Sequence, residues 1–362
     1  AEFQKLIQNF PKSNIVPRAQ FSIGDAYYNL QKYPLAIQSY QTVVDKYAVS
    51  QYASDAVNGI QYCYLLLEKP LDAIRTIDEF VKKNPDARLA DELYYKKGEL
   101  FFGQRQYDSA ITAYKDFIGQ FPNSKLVANA HYWIGKSYQT QNSISPALAS
   151  FQIINAQYQN SSIASASFFE AGGIYAQQAK PDLALQAFAT VEENYPNSEE
   201  APEASYQQAI VSKGTNQLEA SVKKFETTIA RYPKSIAADR SRLALGWMNH
   251  GTAQYAKALE YFRAVANNRT DDVAAEAQFA VGLTLQTQKN YTDAIIAFMR
   301  MKYVFPSSTQ WIVKAYFNLG ECYEKTNQIQ KAKEAYSYVV KQGKIPELTT
   351  SAEKRLKSLE QL

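Results

Sequence analysis

The chain has 362 residues, and its 39 Lys and Arg stand against 35 Asp and Glu, a near balance that argues against a nucleic acid partner. A hydrophobic content of 46% excludes intrinsic disorder, no run of about 18 apolar residues is present to span a membrane, and two cysteines, Cys63 and Cys322, make neither a disulfide framework nor a zinc site. Only 14 Gly and 13 Pro favour helix, while 27 Tyr and 18 Phe form an aromatic excess that needs a cause.

The first element, residues 1–13, reads as a helix ending at Phe10-Pro11-Lys12-Ser13. That tetrapeptide returns as Phe121-Pro122-Asn123-Ser124, Tyr195-Pro196-Asn197-Ser198, Tyr232-Pro233-Lys234-Ser235 and Phe305-Pro306-Ser307-Ser308. With degenerate copies included, its second residue falls at 11, 48, 85, 122, 159, 196, 233, 270 and 306, so the step is 37 until the last, which is 36. A recurrence of this length marks a repeat architecture, and the family resemblance given below implies that each unit is a pair of helices, A and then B. Phe3 takes the place of a large apolar residue in a B helix, so residues 1–13 are expected to be a B helix whose A helix lies upstream in a longer protein.

About nine repeats follow, from 14 to 346. In each B helix a small residue (Ala36, Ala73, Ala110, Ala147, Ala184, Ser221, Ala258, Ala294, Ala332) is followed four places on by a large one (Tyr40, Ile77, Tyr114, Phe151, Phe188, Phe225, Phe262, Phe298, Tyr336). Residues at i and i+4 share one helix face, so the small one admits a neighbouring helix and the large one fills the seam. In the A helices Gly24, Gly98, Gly135, Gly172, Gly246, Gly282 and Gly320 share a phase, with Gln61 and Ala209 in the other two repeats. A helix-interior glycine costs about 1 kcal/mol relative to alanine, so glycine at a fixed phase predicts close helix contact. Pro34, Pro70, Pro146 and Pro181 fall in the first turn of B helices, and Pro17 and Pro202 open A helices, where a missing N–H does no harm. Ser after the inter-repeat Pro predicts an N-cap for a lengthened A helix. Residues 347–362, with Ala352, Leu356 and Leu359 apolar, predict a solvating cap helix, and Pro346 a terminal loop.

Motifs for catalysis are missing: there is no phosphate loop, nucleophile elbow, H-E-x-x-H or C-x-x-C. A non-enzyme without metal or cofactor is expected. His131 reads as structural, Cys63 and Cys322 as buried inert thiols, and Glu192-Glu193 and Glu199-Glu200 as solvated helix ends. Residues 126–179 hold only Lys136 and Glu170 as formal charges, a depletion compatible with a contact surface.

Tyr316-x2-Leu319-Gly320-x2-Tyr323 followed by Ala332-x3-Tyr336 resembles the tetratricopeptide repeat (TPR), and the resemblance covers essentially the whole chain. The unit departs from that family by its 37 rather than 34 residues and by a poorly kept Trp position. The resemblance implies an all-α, right-handed superhelical solenoid of antiparallel helix pairs, running through 1–362 as one body. It implies a non-catalytic scaffold whose A helices line a concave face and hold a protein or peptide. The residues it places on that face are Tyr28, Tyr62, Leu65, Tyr95, Glu99, Phe102, Tyr132, Lys136, Phe169, Tyr206, Trp247 and His250. Of these, Tyr95, Tyr132, Phe169 and Tyr206 belong to a column, three residues before the glycine phase, that could equally serve packing between helices.

A narrower resemblance rests on Ala130-His131-Tyr132-Trp133-Ile134-Gly135, then Ser137-Tyr138 and Ala147-x3-Phe151. It is similar to the repeats of bacterial cell-envelope TPR proteins, of the Tol–Pal-associated and outer-membrane-assembly lipoprotein type. That likeness implies a periplasmic or outer-membrane-associated scaffold, as part of a larger envelope assembly. A cytoplasmic adaptor and a glycan- or peptidoglycan-binding solenoid are the alternatives.

Overall fold

The structure is a computed structural model that describes residues 2–360. Those residues form 20 α-helices and no strand. The chain opens with α1 (Glu2–Asn9) and closes with α20 (Pro346–Glu360). Between them lie nine pairs: α2 (Val16–Asn29) with α3 (Tyr33–Lys46), α4 (Tyr52–Leu66) with α5 (Pro70–Lys83), α6 (Ala90–Gly103) with α7 (Tyr107–Gln120), α8 (Val127–Thr140) with α9 (Ile144–Gln157), α10 (Ala164–Gln177) with α11 (Pro181–Asn194), α12 (Ala201–Gly214) with α13 (Leu218–Arg231), α14 (Ile236–Gly251) with α15 (Tyr255–Ala266), α16 (Asp272–Thr287) with α17 (Tyr291–Val304), and α18 (Thr309–Lys325) with α19 (Ile329–Gln342). The chain divides into two compact units, one up to Ile174 and one from Tyr175 onward. From α1 to α9 in the first unit, and from α11 to α20 in the second, each helix packs on the next. Within each unit successive A helices also touch, as α2 does α4 and α14 does α16, while the B helices are spaced apart by the A helix between them.

The seam follows the small-then-large pattern. Ala36, Ala110, Ala258, Ala294 and Ala332 are fully buried, and the rings of Tyr114, Phe151, Phe225, Phe262, Phe298 and Tyr336 have no exposure either. The glycines exist to admit those rings. A Cβ on Gly135 would lie 2.7 Å from Cε1 of Phe151, and one on Gly320 2.6 Å from Cε1 of Tyr336. Burying a Phe ring contributes about 1.5–3 kcal/mol, which outweighs the helix cost of the glycine. Tyr40 is enclosed from both sides, since a Cβ on Gly59 of the following A helix would also meet its ring, 2.6 Å from Cε2. Where Gln61 replaces the glycine, the equivalent B-helix residue is the smaller Ile77.

The turns correct two expectations. The inter-repeat serine is seldom a helix cap. In Phe10-Pro11-Lys12-Ser13 the Ser13 N–H donates to the Phe10 carbonyl at 3.0 Å, and Ser124, Ser198, Ser235 and Ser308 repeat that bond. The tetrapeptide is therefore a β-turn with proline at its second place. Ser235 alone among these serines also caps its helix, accepting from the Ala238 N–H at 3.1 Å. In the early repeats the extra residues lie in this turn and the A helix is 14 or 15 residues long. Only α14, α16 and α18 are lengthened, to 16, 16 and 17 residues. The second correction is Pro346, which opens α20 instead of sitting in a loop, as its fixed φ suits a first helical position. Ala352 and Leu359 bury the inner side of that helix, and residues 361 and 362 of the expected cap lie outside the described residues.

Glu192 also departs from expectation. It is 3% exposed, not solvated. It accepts from Gln208 Nε2 at 2.9 Å, Lys224 Nζ at 2.5 Å and Arg231 Nη1 at 3.0 Å, tying α11 to α12 and α13. Burial pushes its pKa up, but Lys224, Gln208 and Arg231 outweigh that and hold the carboxyl below its ordinary range. Cys63 and Cys322 are buried, and burial pushes their thiols up to about 11 and about 12.

Candidate partner-binding surface

In the first unit the named A-helix residues divide by burial. Tyr62 is 51% exposed and Leu65 38%, with the Lys96 ammonium 5.1 Å from the Tyr62 ring centre. Glu99 is exposed as well. Tyr28 is half-buried, edge-on to Tyr33 at 5.8 Å, and Phe102 is held between Tyr107 at 5.4 Å and Trp133 at 4.8 Å. Tyr95 is 6% exposed and packs on Tyr114 and Phe117 of its own repeat, at 5.3 and 5.5 Å. Tyr132 leans on Phe151 at 5.7 Å, and Phe169 is half-buried. The aromatic column thus lies against the seam rings, and Tyr95 has little surface left for a partner.

Lys136 is not a free cation. Its ammonium meets Glu170 at 2.6 Å, and Gln139 donates to the other oxygen of the same carboxylate at 3.0 Å. The two charges of the charge-poor segment therefore neutralise one another across α8 and α10.

In the second unit the A helices line an open pocket of about 400 Å³. α12 contributes Tyr206, Ile210 and Lys213, α14 Arg240, Leu243 and Trp247, α16 Asp272, Val273 and Glu276, and α18 Trp311. Helix packing sets the spacing of these groups, and polar contacts fix their directions. The Trp247 indole N–H donates to Glu276 Oε1 at 2.9 Å, and the ring rests on Phe262 at 5.1 Å. The Arg240 guanidinium lies 4.9 Å above Tyr206 and is held by Glu203 at 2.9 Å. Lys314 sits 4.0 Å over Trp311. Three aromatic walls, each with a cation or carboxylate beside it, make a site that can seat an apolar side chain and bond its polar surroundings.

His250 lies beside the pocket and does not line it. Its Nδ1 is 3.0 Å from Thr284 Oγ1, and its ring stands 5.7 Å from Trp247 and 5.6 Å from Tyr255. Burial lowers its pKa, so it supports the tryptophan as a neutral ring. His131 is half-buried beside Tyr158, and burial lowers its pKa too.

Tyr206 and Trp247, named from the sequence, line this pocket together with Trp311 and Glu276, which the sequence did not single out. Trp311 shares its phase with Ile15, Tyr52, Leu89, Leu126, Ile163 and Val273, nine residues before the glycine position.

A family model described as tetratricopeptide repeat matches residues 18–48, 92–124 and 166–198, and two further models of the same description match 251–302 and 313–341. The chain is a tetratricopeptide-repeat protein. Solved structures similar to this TPR protein include PilF of Pseudomonas aeruginosa, 14% identical, covering 61% of this chain and 94% of that one with a TM-score of 0.46. A tetratricopeptide repeat protein from Parabacteroides merdae is 16% identical over 76% and 98% of the two chains, with a TM-score of 0.45. Yeast Tom70 is 10% identical over 95% of each, also at 0.45. No curated protein matches this TPR protein in sequence. Proteins of the TPR family generally act as protein-interaction scaffolds and are typically non-catalytic. No helix among the described residues is long and apolar enough to cross a membrane.

Proposed function

We propose that this TPR protein grips an extended protein or peptide segment on its A-helix face, with the pocket around Trp247 as the anchor. One observation carries this: Tyr206, Trp247 and Trp311, from three different helices, converge on about 400 Å³ of open space. The indole N–H of Trp247 is already committed to Glu276, so the wall is pre-organised and little ordering entropy opposes binding. Arg240 and Lys213 on one side and Asp272 and Glu276 on the other favour a segment with an apolar anchor flanked by charges of both signs.

Selection of a random peptide library against the protein tests this. Selected peptides should lose about tenfold or more in affinity on Trp247→Ala while the helical circular dichroism is unchanged. Equal affinity for the variant overturns the site.

The location we propose is the envelope of a Gram-negative bacterium, as part of a larger assembly. Its support is the likeness of residues 130–151 to envelope TPR repeats. Fractionation of the source cells checks it, and recovery in the cytoplasm overturns it.

A further inference from the structure

α17 carries three apolar side chains that the repeat does not require. Ile296, Met299 and Tyr303 are 64, 42 and 76% exposed. Their spacing of three and then four residues puts them in one stripe along the helix. In the other eight repeats the place of Ile296 holds Gln, Arg, Thr, Ala, Gln, Lys, Glu and Glu. The place of Met299 holds Gln, Asp, Lys, Gln, Ala, Glu, Arg and Ser, and that of Tyr303 holds Asp, Lys, Gly, Ala, Glu, Ala, Asn and Lys. Nine copies of one frame act as an internal control: a side chain that eight copies do without is not there to hold the frame. Single exposed apolar residues are ordinary, but a stripe of three on one helix is not.

Ile296 and Met299 of the stripe border a cleft of about 580 Å³ between α17 and α19. Tyr316 and Leu319 of α18 form its floor, and Tyr338 of α19 its far wall, stacked on Tyr316 at 4.1 Å. The rim is basic. Lys302 lies 6.0 Å from the Tyr338 ring centre and Lys331 5.7 Å from that of Tyr323. Among the described residues neither lysine is in an ion pair. Over their whole lengths α17 and α19 carry Arg300, Lys302, Lys331, Lys333 and Lys341 against Asp293 and Glu334, an excess of positive charge.

We propose that this cleft is a second docking site, separate from the A-helix pocket, and that it takes an acidic amphipathic helix. A stripe seven residues long on α17 extends about 10 Å, two turns of helix. Apolar side chains at i, i+3 and i+7 of the incoming helix would enter between α17 and α19, as in other helix-in-groove recognition. Its Asp and Glu would meet Lys302 and Lys331 at the rim, which sets orientation and excludes basic helices.

Fluorescence anisotropy with two labelled helix-forming peptides tests this. Both carry the same Leu stripe, and their flanks are Glu in one and Lys in the other. The Glu peptide should bind the full chain and the Lys peptide should not. Ile296→Glu, and Ile296→Gln as a second variant, should weaken the Glu peptide by about tenfold with helical circular dichroism unchanged. Lys302→Glu should weaken it further than its neutral counterpart Lys302→Gln, and Trp247→Ala should leave it unaffected. No binding of the Glu peptide, equal binding of both peptides, or indifference to the Ile296 variants would each overturn the proposal. So would sedimentation of the wild type as a dimer and of Ile296→Glu as a monomer, which would make a second copy the occupant.

Discussion

The groove between α3 and α5 and the groove between α17 and α19 occupy the same place on the repeat but offer different chemistry. The first is about 230 Å³ and is lined by Gln41, Asp45, Thr76, Glu79 and Lys83 around Val44, Ala48 and Phe80. The second is about 580 Å³ and presents Ile295, Ile296, Met299, Tyr316 and Tyr338. Beneath both, the frame is the same: Ala36 with Tyr40, and Ala294 with Phe298, are at most 2% exposed. The difference lies in residues two and five places after the alanine, which the 3.6-residue period turns away from the seam. A single B helix therefore keeps its packing and its surface chemistry on separate faces, and either can change without the other.

That separation predicts the widest contrast within α17. Phe298→Ala should cost about 3–5 kcal/mol in denaturant unfolding, from lost burial and a cavity at the seam. Ile296→Glu, two residues earlier, should stay within about 0.5 kcal/mol of wild type. Similar losses for the two would erase the distinction between frame and surface.

The next largest effect sharpens the comparison by showing that frame contacts need not be apolar. Glu192→Gln should cost about 1–3 kcal/mol near neutral pH, because it weakens the bonds from Lys224 and Arg231. The native carboxyl is held below its ordinary pKa, so its contribution is complete above the unfolded value of about 4.3. It is lost as pH falls through the lower native value. Urea titrations between pH 7 and pH 3 should find that Glu192→Gln loses less stability on acidification than wild type does. Parallel losses would remove the ion cluster from the frame.

The smallest effect concerns the turns. Each A–B turn places a non-glycine residue at positive φ, among them Gln31, Ala179, Ala253 and Lys289. Ala253→Gly should raise stability by up to about 1 kcal/mol, read as a higher unfolding midpoint, since alanine gains nothing from its Cβ in the left-handed region. A lower midpoint would mean that the gain in unfolded-state entropy dominates.

The frame was legible because sterics fix residue identity there. Only glycine clears the rings of Tyr114 or Phe298, and glycine holds that phase in seven of the nine copies. The left-handed turn was not legible, because backbone bonds such as Lys32 N–H to the Tyr27 carbonyl, at 2.9 Å, close it without glycine. The inter-repeat serine misled because its backbone N–H, not its hydroxyl, does the work in most copies. Glu192 read as solvent-facing because its partners Lys224 and Arg231 follow 32 and 39 residues later, close to one repeat away. On the candidate surface, Trp247 and Tyr206 were visible as aromatics on an A-helix face. Tyr95 shares the phase of Tyr206, yet its surface goes to Tyr114 and Phe117.

Hydrogen–deuterium exchange with and without a library-selected peptide tests most directly whether a partner is held by side chains the frame does not use. Slower exchange concentrated in α12, α14 and α16, and absent when Trp247→Ala is challenged with the same peptide, is the predicted result. Protection that spares those helices, or that persists in the variant, would contradict it.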